Sequence, residues 1–157
     1  MEYRNIINNS IKDHLAAVAS LSEMADEIYS VAVVLKRCLD NGGKIVLIGN
    51  GGSAADSQHI AAELVGRFNR ERVALAAIAL TTDSSIITSI GNDFGFDQIF
   101  SRQVQALCTH KDVLIGISTS GNSINVIKAI DTAKSIGIFC VGLLAGSGGR
   151  SDCHSGV

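Results

Sequence analysis

The chain has 157 residues, of which 46% are hydrophobic, 18% are charged and only 4% are aromatic, and its formal net charge is −2. This composition predicts a folded domain with an aliphatic core rather than a disordered chain. It argues against a nucleic-acid-binding protein, because contacts to a phosphate backbone require clustered Lys and Arg. No apolar stretch approaches the ~20 residues of a membrane span, and the N-terminus lacks the apolar run of a secretory signal.

The cysteines point to a reducing compartment. Their spacing gives neither a C-x-x-C pair nor a disulfide framework, so reduced thiols in a cytoplasmic protein are expected. The four are Cys38, Cys108, Cys140 and Cys153.

Residues 2–40 have the apolar periodicity of helices. Ser20 followed by Glu23 fits a capping box that would start a second helix, and glycines at 42 and 43 end it. We therefore expect an N-terminal helical extension over residues 1–41 that packs on the domain or on another subunit.

From Lys44 onward, short apolar strands alternate with helices. Strands are expected at 44–48, 74–80, 113–117 and 139–144, and helices at 54–67, 84–90, 97–107 and 124–136. Because the strands are almost continuously apolar, the pattern predicts one α/β domain, a three-layer sandwich in which helices flank a parallel sheet. Ligands of such sheets bind beyond the carboxyl ends of the strands.

The first unusual loop, residues 49–56, reads GNGGSAAD and joins a strand to a helix. Glycines let the backbone approach a ligand, and the following helix directs its free N–H groups toward it, with Ser53 available as a cap. The loop could equally be a plain turn, or a dinucleotide-binding loop of the G-x-G-x-x-A type. The acidic residue needed for the latter is missing, since Asp83 lies about ten residues too late.

The second loop, residues 118–123, reads STSGNS and places four hydroxyls before a helix. Such a loop can bind phosphate without Lys or Arg, although a Ser-rich helix cap is the alternative.

Two further pairs are candidates for chemistry. His59 and Glu63 share a helical face, where they could bind a metal or transfer protons, or simply form a surface hydrogen bond. Asn92 and Asp93 lie between two glycines, as site residues or as turn formers.

These motifs, together with residues 58–61 (QHIA), 91–96 (GNDFGF), 100–103 (FSRQ) and 116–117 (GI), resemble those of bacterial phosphoheptose isomerases. That family belongs to the sugar isomerase (SIS) domain superfamily, with a flavodoxin-like fold. The resemblance implies conversion of sedoheptulose 7-phosphate to D-glycero-D-manno-heptose 7-phosphate for lipopolysaccharide, through an enediol. It also implies a cytoplasmic homotetramer that binds zinc.

By this resemblance, His59 and Glu63 are zinc ligands and Glu63 carries a proton. The implied substrate contacts are Asn50, Gly51, Gly52, Ser53, Glu63, Asn92, Asp93, Ser118, Thr119, Ser120 and Ser123.

The family pattern continues with a fifth strand and a helix whose Gln and His complete the zinc site, whereas this sequence ends at Val157 and His154 is not in the matching context. The sequence alone therefore predicts weak zinc binding and little isomerase activity. The alternative within the superfamily is a non-catalytic protein similar to the DnaA initiator-associating factor. That relative lacks an acid at the position of Glu63, so Glu63 favours the enzyme.

Overall fold

The computed structural model describes residues 2–145, and the expectations for Cys153, His154 and the end of the chain lie outside these residues. The chain divides into two compact units, with the boundary after Val34. Within the described residues, no helix combines the length and the hydropathy required to cross a bilayer.

The first unit consists of α1 (Glu2–Ser20), a 3₁₀ turn (Leu21–Met24) and the first part of α2 (Ala25–Asp40). The predicted helices are thus confirmed, but the predicted capping box is wrong. Ser20 keeps helical dihedral angles, and its hydroxyl donates to the Ala17 carbonyl at 2.7 Å instead of capping a new helix. The chain passes through the junction without leaving the helical region, so there is no N-cap for Ser20 to fill.

The second unit contains a four-stranded parallel sheet. Its strands are β1 (Ile45–Gly49), β2 (Ala77–Ala79), β3 (Val113–Ser118) and β4 (Phe139–Leu144), in the spatial order β2-β1-β3-β4. Its helices are α3 (Gly52–Val65), α4 (Ser84–Phe94), α5 (Ser101–Leu107) and α6 (Ile124–Ser135), with a 3₁₀ turn at Phe96–Gln98.

The order of the strands places helices on both faces of the sheet. The connection β1-α3-β2 and the connection β3-α6-β4 run outward from the centre in opposite directions. Because such crossovers are right-handed, α3 and α6 cover opposite faces. The predicted three-layer α/β sandwich is therefore confirmed. Gly116 on β3 shows how closely α6 packs, since a Cβ there would lie 3.1 Å from Val126.

The strand predicted at 74–80 is the least accurate expectation. Only Ala77–Ala79 pair with β1, and Leu75 donates its N–H to the carbonyl of Leu64 at the end of α3. The residues before β2 are thus used to fasten the end of α3. The helix expected at 97–107 starts only at Ser101, after the 3₁₀ turn.

Candidate functional site

The loops that follow β1 and β3 flank the centre of the sheet. These two strands are neighbours, yet the chain leaves them in opposite directions. This arrangement is a topological switch point, where a crevice forms at the carboxyl ends of the strands. The glycine loop (residues 49–53) and the hydroxyl loop (residues 118–123) therefore meet at the position where α/β proteins bind ligands.

The glycine loop is tightly constrained. A Cβ at Gly49 would lie 2.7 Å from the Ser53 carbonyl oxygen, and Gly51 has a φ of +53°, so side chains are disfavoured at both positions. Gly51 is the N-cap residue of α3, and no side chain caps this helix. The expectation that Ser53 caps α3 is therefore wrong. Because no side chain covers them, the first N–H groups of α3 remain available to a ligand.

The hydroxyl loop combines internal bonds with exposed groups. The buried Ser118 hydroxyl accepts from the Gly121 N–H at 3.2 Å and lies 3.3 Å from the Ser123 hydroxyl. The Ser120 hydroxyl accepts from the Asn122 N–H at 3.2 Å. Ser123 is the N-cap residue of α6, but its side chain forms no capping bond. The alternative of a Ser-rich helix cap is therefore wrong. Thr119 and Ser120 are exposed.

A pair of amides joins the glycine loop to the first turn of α6. Asn50 Nδ2 donates to Asn125 Oδ1 at 2.9 Å, and Asn125 Nδ2 donates to Asn50 Oδ1 at 2.8 Å. Asn50 was predicted from the sequence as a site residue, but Asn125, the second residue of α6, was not. The available signal was an Asn directly after the hydroxyl loop, where a polar side chain can reach back toward the crevice.

His59 and Glu63 lie on the outward side of α3. Ser57 and Ala61 are the buried residues of this helix, and positions two residues later point to the opposite side. The His59 Nε2 and Glu63 Oε1 atoms are 4.0 Å apart, with the side chains 74% and 39% exposed. The structure therefore brings these two residues together, on the surface of α3.

The pair borders an open groove of about 620 Å³. The groove lies between the second half of α3 and the segment that follows it, and Arg67, Phe68 and Arg72 also line it. Arg72 donates to the carbonyl oxygens of Glu63 and Leu64 at 2.7 and 2.8 Å. It thereby binds the free carbonyls at the end of α3 and fixes the turn of helix that carries Glu63. This role of Arg72 was not predicted from the sequence.

No cluster of three or more His, Cys, Asp or Glu side chains suited to a metal occurs among residues 2–145. A zinc ligand lies about 2.0–2.2 Å from the ion, so two donors of one ion are at most ~4 Å apart. The 4.0 Å separation of His59 and Glu63 is at the outer limit of this range. The pair fits as two ligands of a zinc ion after a small side-chain adjustment, but not as a complete site.

Asn92 and Asp93 belong to the last turn of α4 rather than to a loop. Asn92 Nδ2 donates to Asp93 Oδ1 at 2.8 Å, and both side chains are exposed. Helix α4 ends at Gly95, whose φ is +92°. The structure therefore pairs these two candidates with each other.

Asp83 has a different role from the one that a dinucleotide-binding domain requires. Its carboxylate caps α4 by accepting from the Ile86 N–H at 2.9 Å. Asp83, the acidic residue after β2, is thus occupied in capping α4. A dinucleotide-binding domain would need this carboxylate to contact the ribose.

Cys38 and Cys108 are free thiols. Burial raises the pKa of Cys108 to about 11 and also raises the pKa of Cys38. A raised pKa keeps a thiol protonated near neutral pH and makes it a poor nucleophile.

Comparison with known proteins decides the family. The SIS domain model matches residues 8–145. Phosphoheptose isomerase 1 of Campylobacter jejuni is 52% identical over 145 residues, which cover 92% of this chain and 78% of the relative. The chain belongs to the phosphoheptose isomerase family.

Solved structures of the family agree with this assignment. The phosphoheptose isomerase of Neisseria gonorrhoeae has a TM-score of 0.88 at 42% identity, covering 98% of this chain and 80% of that one. The phosphoheptose isomerase of Francisella tularensis has a TM-score of 0.87 at 37% identity, with coverage of 96% and 80%. Membership of the phosphoheptose isomerases supports the isomerase interpretation over the DnaA-associating alternative.

Proposed function

We propose that this protein interconverts sedoheptulose 7-phosphate and D-glycero-D-manno-heptose 7-phosphate, for the heptose of lipopolysaccharide. The observation that carries the proposal is the meeting of the glycine and hydroxyl loops at the switch point of the sheet. The names of the relatives supply the substrate class, and the local chemistry is compatible with it.

The phosphate is proposed to bind to the hydroxyl loop. Hydroxyl and backbone donors at the start of α6 can neutralise a phosphate, and the positive end of the helix dipole adds to the attraction. The sugar then extends toward the glycine loop. The proposed substrate contacts are Asn50, Gly51, Gly52, Ser53, Glu63, Asn92, Asp93, Ser118, Thr119, Ser120 and Ser123.

Glu63 is proposed to move the proton between carbons. Its carboxylate removes a proton from C1 of the ketose, which gives an enediol, and the proton returns at C2 while the hydroxyl proton passes from O1 to O2. No net oxidation occurs, so no redox cofactor is needed. The Arg72 bonds that fix the backbone of Glu63 hold this base in position.

Zinc is proposed to bind at His59 and Glu63. Bound zinc supplies Lewis-acid polarisation of the sugar oxygens. Catalytic zinc sites usually have three protein ligands, so further donors must come from outside residues 2–145 or from another copy of the chain. Calorimetry with zinc tests this: His59→Ala should weaken binding at least tenfold, whereas the exposed control His110→Ala should not. Equal affinities of the two variants would exclude this site.

Self-association, as a homotetramer, is proposed from the first unit. Its apolar residues are exposed in the single chain, including Ile7, Ile11 and Leu15 at 53–65%. Such a contiguous surface marks a protein interface. In sedimentation, Ile11→Lys with Leu15→Lys should shift the protein to smaller species, and a monomeric wild type would contradict the proposal.

A cytoplasmic location is also proposed. Cys38 and Cys108 are free thiols, as is usual in a reducing compartment. Fractionation of the source cells would test it, and recovery outside the cytoplasm would contradict it.

The reaction itself is tested by following sedoheptulose 7-phosphate by NMR with added zinc, for the 157-residue chain and for a version extended by a family-type C-terminal helix. The extended version should convert it to the manno-heptose phosphate, whereas the 157-residue chain should convert little. A parallel thermal-shift series with NAD should show no stabilisation. Failure of the extended version to convert the heptose phosphate, or stabilisation by NAD alone, would contradict the proposal.

A further inference from the structure

The amide pair of Asn50 and Asn125 connects positions 75 residues apart in the chain. Asn125 is only 4% exposed, although Asn is rarely buried without a reason. Each amide donates to and accepts from the other, at 2.9 and 2.8 Å. The pair therefore provides two hydrogen bonds between the start of the glycine loop and the first turn of α6.

A backbone group fixes the orientation of both amides. The Val126 N–H donates to Asn125 Oδ1 at 3.0 Å, so this atom must be the oxygen. The other arm of Asn125 is then the NH₂ group, which requires an acceptor, and Asn50 Oδ1 is that acceptor. Asn50 therefore cannot flip without losing both bonds of the pair. The second N–H of the Asn50 amide and the second lone pair of its oxygen take no part in the bonds to Asn125.

The glycine loop needs such a constraint. Gly51 has a φ of +53°, and neither Gly51 nor Gly52 has an atom within 4 Å of where a Cβ would lie. Because glycine has no side chain, these two residues make no side-chain contacts that could hold the loop against its surroundings. Asn50 precedes them, and its amide is the side-chain connection to α6.

We propose that Asn125 is a positioning residue for sugar-phosphate binding. It orients the Asn50 amide and holds the glycine loop against the N-terminal turn of α6, so that both loops address one ligand. Asn125 acts through Asn50 and does not itself touch the substrate. This inference rests on the proposed function, in which Asn50 contacts the sugar phosphate.

A double-mutant cycle separates this role from a general contribution to folding. The affinity for sedoheptulose 7-phosphate is measured by calorimetry for wild type, Asn50→Ala, Asn125→Ala and the double variant. Each single variant should bind at least about tenfold more weakly, and the double variant should be no worse than the weaker single one. Losses that multiply in the double variant would overturn the inference, as would wild-type affinity in Asn125→Ala.

Ile130→Ala is the structural control, because Ile130 is a buried residue of the same helix that takes no part in the pair. It should lower the melting temperature and leave the affinity unchanged. If it weakens binding as much as Asn125→Ala does, the effect is one of helix stability and the inference fails.

Asn125→Asp provides a second variant of nearly the same size, in case Asn125→Ala does not fold. The ionised carboxylate keeps the acceptor for Val126 but cannot donate to Asn50, whereas a protonated carboxyl can. The ratio of its dissociation constant to that of wild type should therefore fall as the pH is lowered from 6 to 4, toward the ordinary Asp pKa of about 3.9. A ratio independent of pH would contradict the orienting role. A wild type that binds no sugar phosphate would instead refute the proposed function.

Discussion

Polar groups are concentrated at both edges of the parallel sheet, and the two edges use their hydrogen bonds differently. At the amino edge, the Asp112 carboxylate accepts from the backbone N–H and the ammonium group of Lys44, at 2.9 and 2.7 Å. It also accepts from the Thr109 N–H at 2.8 Å and lies 3.4 Å from the Thr109 hydroxyl. This carboxylate joins the residues that precede β1 and β3, and its side chain is 3% exposed.

The packing of the amino edge is equally closed. A Cβ at Gly43 would lie 2.1 Å from the Lys111 carbonyl oxygen, so the two segments approach each other as closely as backbones can. No space for a ligand remains between them.

At the carboxyl edge, the same two strands end in loops in which some polar groups are exposed. The hydroxyls of Thr119 and Ser120 are exposed, and no side chain caps α3. The amino edge thus uses its polar groups for stability, whereas the carboxyl edge leaves some of them exposed, as the proposed ligand site requires. Variants at the two edges should therefore affect different measurements.

The largest expected effect is at the proposed base. Glu63→Gln should lower kcat by about 10²–10⁴-fold, because a general base contributes this much and the amide cannot accept the proton. The melting temperature should hardly change, since the Glu63 side chain is 39% exposed and its nearest salt-bridge contact, to His59 Nε2, is 4.0 Å long. Glu27→Gln, at an exposed position of the first unit, is the control. Retention of most activity in Glu63→Gln would assign the proton transfer to another group.

The next effect concerns the hydroxyl loop. Replacing Ser120 and Ser123 with Ala should weaken sugar-phosphate binding by roughly one to three orders of magnitude, because hydrogen bonds to a charged group contribute about 1.5–3 kcal/mol each. Ser135→Ala is a matched control, since that hydroxyl bonds to the Thr132 carbonyl at the other end of α6. Calorimetry in which all three proteins bind equally would remove the phosphate from this loop.

The sequence predicted the central strands of the sheet more accurately than strand β2. The central strands β1 and β3 were placed within one residue at each end, because continuous runs of Ile, Val and Leu before a glycine or serine cluster are specific to buried parallel strands. The same runs predicted that the loops following these strands would lie at one edge of the sheet, as they do. Strand β2 was predicted too long, because Leu75, which precedes it, donates its N–H to the Leu64 carbonyl of α3 instead of to β1.

The side-chain hydrogen bonds between residues far apart in the sequence could not be predicted. The partners Asn50 and Asn125 are 75 residues apart, and Lys44 and Asp112 are 68 apart. Residue type and local spacing carry no information on such pairs, which depend on the register of β1 against β3. The capping expectations failed because Ser20 keeps helical dihedral angles and because Gly51, not Ser53, is the N-cap residue of α3.

At the amino edge, Asp112→Ala should lower the free energy of unfolding by about 2–4 kcal/mol, because it leaves the N–H groups of Lys44 and Thr109 without their acceptor. The sugar-phosphate affinity should stay within about twofold of wild type. Urea unfolding and calorimetry measure the two quantities. Asp131→Ala, at an exposed position on α6, should change stability by no more than about 0.5 kcal/mol. A large loss of affinity with unchanged stability would reverse the proposed division between the edges.

The smallest effect is the pH dependence of the amino edge. Burial alone would raise the pKa of Asp112, but the hydrogen bonds from the Lys44 side chain and from the N–H groups of Thr109 and Lys44, together with the Lys44 charge, outweigh it and lower the pKa. The stability that ionised Asp112 contributes is therefore complete above the unfolded-state pKa of about 3.9, and it disappears as the pH falls through the lower folded-state pKa.

The gap in unfolding free energy between wild type and Asp112→Asn should accordingly be constant from pH 6 to pH 5 and narrow below pH 4. One proton limits the change to about 1.4 kcal/mol per pH unit. The pKa of Asp97 is also lowered, by its hydrogen bond from Lys128, but this contribution is common to both proteins and drops out of the difference. A gap that widens as the pH falls would mean that burial dominates at Asp112 and that its hydrogen bonds do not hold the amino edge together.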